Sequence, residues 1–159
     1  MKNLVSTDWL EKNLDNVRIF DGSWHLPSSN RNALEEFISV HIENSNFFDI
    51  DKYSNQESNL PHMLPKKDQW EKIMSDFGVK NSDHIVIYDN SDVLSSCRVW
   101  YTFLYFNHDP NLVSVLDGGL KKWLSEKKDT TRKIKKFETS SYSANENISL
   151  VLNKNQIIA

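Results

Sequence analysis

Three placements in this chain bring together residues able to move protons or sulfur. Asp51 and His62 stand at the two ends of a polar, proline-bearing loop. If that loop folds back, the carboxylate can orient the imidazole as a base or proton donor. Asp49 and Asp51 form a D-x-D pair, a pattern that suits a divalent cation or shared acid–base work but is also common where a strand runs out into a loop. The only cysteine, Cys97, follows the apolar run HIVIY (84–88) and the loop DNSDVLSS (89–96), at the head of a helix. In an α/β protein that junction is where ligands and nucleophiles are held.

The setting alone does not arm Cys97. If Ser95 caps the helix, Cys97 lies in its first turn, where the dipole favours a thiolate by roughly 0.3 to 1 kcal/mol, less than a tenfold effect. Arg98 is adjacent in sequence but turned about 100° around the helix. A cysteine-dependent phosphatase would need an arginine where Phe103 stands. A small, half-buried packing residue is favoured over a nucleophile. The five histidines are scattered without H-x-x-x-H spacing or a second cysteine, so no metal site is expected. Asp117-Gly118-Gly119 lacks the glycine and lysine pattern of a phosphate loop and reads as a tight turn.

The totals narrow the class. A chain of 159 residues fits one ordinary domain, and a net charge of −3 argues against a nucleic-acid footprint. The lysines between Lys127 and Lys136 are interrupted by Asp129 and flanked by Glu126 and Glu138, as in a solvated linker. No run is apolar and long enough to span a membrane. One cysteine and no apolar leader point to a reducing, cytoplasmic setting.

These residues need a scaffold, and the pattern supplies one. Ser6-Thr7-Asp8 before Trp9, Leu10 and Leu14 predicts a short helix over 6–14. Strands are predicted at Val17–Phe20, Phe47–Phe48, His84–Tyr88 and Leu112–Leu116. Helices are predicted at Ala33–Val40, from Pro65 to a stop at Gly78, after Ser95, and over Leu120–Glu126. Four consecutive apolar residues in 85–88 mark a strand covered on both faces. The alternation of strand and helix favours a parallel α/β sheet. From Lys127 the chain turns charged, then Ser/Asn-rich, and its last residues are apolar. We expect a domain over 1–126 and a strap or linker over 127–159 leading toward a second domain.

Several of these pieces together resemble the N-terminal domain of the two-domain rhodanese-type sulfurtransferases. They are LVSTDWLEKNL, FDGSWHLP, EEF with HI following, FFDID, LPHMLP, the helix ending FGV, IVIYDN, RVWYTF with NHD, and VLDGGLKKWL, in family order from Leu4 to about Leu124. The resemblance implies a five-stranded parallel sheet flanked by helices, with no cofactor. It also implies that the reactive cysteine belongs to a C-terminal rhodanese domain, whose loop cradles a thiolate or persulfide and passes sulfane sulfur from thiosulfate or 3-mercaptopyruvate to an acceptor. In the N-terminal domain the nucleophile's place is acidic; here it is Asp89, which cannot form a persulfide.

By the same resemblance, Asp51 and His62 match residues that reach across the crevice into a proton-handling network. Trp24, Leu94 and Ser95 match its rim, and Leu94 stands where an aromatic is frequent. Cys97 aligns with a position usually held by proline. The segment VHIENSN (40–46) replaces a Gly-His-Ile-Pro-Gly-Ala turn. The expected partners are therefore the C-terminal domain and a small sulfur-containing substrate. The alternatives are a stand-alone inactive rhodanese-like binding module and, less favoured, a single-domain sulfur carrier using Cys97.

Overall fold

In the computed structural model, which describes residues 3–158, four consecutive apolar residues make the centre of the sheet. Strand β4 (Ile85–Tyr88) is buried along its whole length. It pairs in parallel with β2 (Arg18–Asp21) on one side and β5 (Val113–Leu116) on the other. Beyond them lie β3 (Ser45–Phe47) and β1 (Leu4–Val5), also parallel, giving the order β1-β5-β4-β2-β3. This is the five-stranded parallel sheet that the resemblance implied. β1 spans two residues, too short for alternation to reveal.

Side chains alternate across the sheet. Ile85 and Ile87 join Phe20, Trp70, Met74 and Phe103 on one face, beneath α3 (Lys67–Asp76) and α4 (Ser96–Tyr105). Val86 and Tyr88 join Ile19, Leu10, Leu120 and Trp123 on the other, beneath α1 (Thr7–Glu11) and α5 (Gly119–Ser125). Helix α2 (Ala33–Ser39) follows an Asn32 cap whose side chain accepts from Glu35 N.

Boundaries shift for local reasons. Ser6 caps α1 through Trp9 N at 3.1 Å, yet the helix ends at Glu11 and continues only as turns. Pro65 is buried just outside α3, and extended Lys66 takes the cap position. Gly78 closes α3 at φ +70°; a Cβ there would lie 2.3 Å from Glu138 O. Only glycine fits both demands.

Past α5 the chain crosses the back of the domain. Thr131 bridges His41, Phe137 lies under the Arg18 guanidinium at 4.3 Å, and Ser140 N bonds Ser75 O at 2.9 Å. Tyr142 is buried, stacked on His108 and hydrogen-bonded to its Nδ1 at 3.0 Å. His108 Nε2 donates to Asp83 O at 2.9 Å. A short helix, α6 (Lys154–Ile158), follows.

Candidate functional site

In a parallel sheet the loops leaving the C-terminal strand ends converge on one rim. β2 delivers Asp21, Ser23 and Trp24, β3 leads to Asp49 and Asp51, and β4 leads to Asp89 and the loop 90–95.

Asp89 is buried, and its Oδ2 accepts from Ser96 N at 2.7 Å, while Oδ1 lies 3.4 Å from Ser91 N. The first turn of α4 thus holds a carboxylate from its own chain, at the kind of helix start that favours anions. Ser95 occupies the cap position but does not cap with its side chain as expected. Its Oγ donates to Gly22 O at 2.7 Å, accepts from Trp24 N at 3.0 Å, and is 2.7 Å from Ser91 Oγ. Ser95 therefore ties the long loop to β2, and Asp89, at the start of that loop, takes over the capping.

Further bonds fasten the loop. Asn90 N donates to Ser23 Oγ at 2.8 Å, and Ser23 donates through both N and Oγ to Asp21. Burial pushes the Asp21 carboxyl up to about 6, against the opposing pull of the Ser23 hydrogen bonds. Arg31 grips both oxygens of Glu36 at 2.7 and 2.8 Å and reaches Asn90 O at 3.0 Å. Glu36 also meets His25 Nε2 and Asn90 Nδ2, each at 3.0 Å. No motif marks Glu36 in the sequence; Arg31, five places before it, is the local signal for the pair.

The loop after β3 folds back and brings Asp51 and His62 together, Oδ1 to Nε2 at 2.6 Å. Trp24 Nε1 sits 3.2 Å from both Asp51 oxygens, and its ring meets the His62 ring edge to face at 5.1 Å. An ionised carboxylate only accepts, so Nε2 donates to it, and in the neutral imidazole Nδ1 is then the acceptor. Asp49 turns away: its Oδ1 accepts from Lys52 N at 3.0 Å, closing a turn. Among the described residues no group of three His, Cys, Asp or Glu is arranged to hold a metal ion.

Two hollows flank the rim. One of about 230 Å³ is lined by Trp24, His25, Arg31, Leu34 and Asp51. The other, about 480 Å³, lies on the β1 side and is lined by Leu4, Asp89, Leu94, Cys97, Leu116 and Lys121. Cys97 is exposed there rather than half-buried, because it faces out from α4 while Val99 and Phe103 face in. Leu94, at φ +52°, is 68% exposed on the rim. No helix among the described residues is long and apolar enough to cross a membrane.

Comparison with known proteins follows this geometry. The chain is 41% identical over 122 residues to thiosulfate/3-mercaptopyruvate sulfurtransferase 1, mitochondrial, of Arabidopsis thaliana, covering 76% of this chain and 32% of that protein. It is 32% identical over 163 residues to the mouse (Mus musculus) thiosulfate sulfurtransferase, covering 98% of this chain and 54% of that protein. Among solved structures, SseA from Escherichia coli, named with the 3-mercaptopyruvate sulfotransferases, superposes with a TM-score of 0.91 at 28% identity over 99% of this chain and 61% of that one. The chain thus spans about a third to a half of the curated relatives it matches. The rhodanese-like domain family matches residues 6–126, which, with the parallel five-stranded sheet and the loop leaving β4, makes this chain a member of that family.

Proposed function

We propose that this chain is the non-nucleophilic N-terminal half of a sulfurtransferase that carries sulfane sulfur from thiosulfate or 3-mercaptopyruvate to a thiophilic acceptor. The observation that carries this reading is Asp89, whose carboxylate fills the start of α4 where a reactive thiolate would sit. The persulfide then forms on a cysteine of a C-terminal rhodanese domain facing this rim. Residues 127–159 form the strap toward it, and the single cysteine fits a reducing compartment such as the cytoplasm.

The chemistry assigns this half a proton-handling task. A thiolate attacks the thiol sulfur of 3-mercaptopyruvate, an S–S bond forms, the C–S bond breaks, and pyruvate departs as an enolate carbanion that must gain a proton. The new persulfide meanwhile loses one. His62, oriented by Asp51 and with Nδ1 available, carries that proton from the rim. With thiosulfate the leaving group is sulfite, which needs no proton on carbon. Trp24, Leu94 and Ser95 shape the wall that the donor passes. Leu26, Leu60, Met63, Val93 and Leu94 are exposed on loops leaving the strands, as suits a face covered by a second domain.

The test joins this chain to its cysteine-loop domain and compares turnover with each half alone. Activity that needs both halves supports the reading. A chain that neither binds nor activates a second domain would instead be a stand-alone binding module.

A further inference from the structure

Resting on the proton-handling reading of His62, we propose that Arg98 is a positioning residue for it: the guanidinium, seated in the first turn of α4, holds the His62 backbone so that the ring stays between Asp51 and Trp24. Arg98 Nη2 donates to His62 O at 2.5 Å. His62 has φ +57°, a left-handed conformation that residues with a Cβ avoid. Something must hold it there, and the other ties of this loop act on the His62 ring or on neighbouring residues and not on its carbonyl. Asn55 N bonds Met63 O at 2.8 Å within the loop, and the Glu57–Lys66 pair is exposed. Arg98 joins the carbonyl of His62 itself to a helix whose opposite side is packed in the core by Val99 and Phe103.

The surroundings fit this use. Arg98 lines a small cavity together with Phe48, Ile50, Tyr53 and Pro65. A charged donor to a backbone carbonyl in such a place is stronger than a neutral one. Burial disfavours the cation and lowers its pKa, yet guanidinium stays charged where an ammonium would lose its proton more readily. No acidic partner competes for it among the described residues, so the His62 carbonyl is its directed contact. The arrangement places the imidazole through the backbone, independently of the Asp51 bond that sets its tautomer.

The test uses the 159-residue chain and NMR, followed by turnover in the complete two-domain protein. In Arg98→Met, core amide resonances stay in place, but the Trp24–His62 ring cross-peak and the hydrogen-bonded His62 Nε2 proton are lost. Arg98→Lys restores at least half of both signals. In the complete protein Arg98→Met lowers kcat with 3-mercaptopyruvate at least tenfold, with KM changed less than twofold. Retention of the cross-peak and the ring proton in Arg98→Met overturns the proposal. If Arg98→Met does not fold, Arg98→Gln decides: loss of the two signals with core amides in place supports the proposal, and wild-type intensity overturns it. Loss of the signals with unchanged turnover supports the positioning and overturns instead the proton-handling reading of His62.

Discussion

Asp89 and Asp21 are two buried carboxylates with opposite consequences. Asp89 accepts from the first turn of α4, so Asp89→Ala leaves a buried N–H without a partner and should cost about 1–3 kcal/mol in urea unfolding. Asp21 is raised to about 6 by burial. At low pH both folded and unfolded states hold its proton; between about pH 4 and pH 6 the unfolded state releases it first, so stability falls as pH rises through that window. At neutral pH the loss reaches about 3 kcal/mol. The difference in stability between wild type and Asp21→Asn should therefore shift in favour of the variant from pH 4 to pH 7. That comparison removes the contribution of Glu36 and Asp92, whose pKa values Arg31 and Lys121 lower. Asp51 and His62 could be paired from the sequence because one loop separates them and their chemistry is complementary. Arg98 could not, since its partner, the His62 carbonyl, arrives through tertiary folding from another element.

Among the elements, α4 and the strap depend on contacts of different kinds. The helix was expected after Ser95, and Ser95 holds the cap position but does not cap with its side chain, although Ser is a good cap by type. Its hydroxyl had three loop partners to choose from, and the carboxylate of Asp89 was better placed. The strap gave no periodic signal, since its bonds run to side chains and backbone of α3 and α4 rather than along itself. Its buried anchor is Tyr142 on His108, whose pKa burial lowers. Above about pH 6.5 both states of His108 are neutral; as pH falls the unfolded state gains a proton that the fold resists, and this part of the stability is lost. NMR cross-peaks between the His108 and Tyr142 rings should weaken only as pH falls through the lowered folded-state pKa of His108, while those between Trp70 and Phe106 persist.

For the whole molecule, sheet order and loop geometry gather Trp24, Asp51, His62 and Asp89 on one rim, with a carboxylate and no sulfur at the end of β4. The four longer strands were readable from composition and alternation, whereas β1 was implied only by the resemblance, because two residues carry no period. The proposed proton-handling role of His62 is separable by donor. His62→Gln in the complete protein should lower turnover of 3-mercaptopyruvate ten- to a hundredfold, in line with the typical worth of a positioned acid–base group. Turnover of thiosulfate with cyanide should change far less; an equal loss with both donors would point to a disturbed fold. The most direct measurement is peptide mass spectrometry of the complete protein after incubation with thiosulfate or 3-mercaptopyruvate. The account predicts one added sulfur on the cysteine of the C-terminal loop and none on the peptide containing Cys97; an added sulfur on Cys97, or persulfide formation by the 159-residue chain alone, would contradict it.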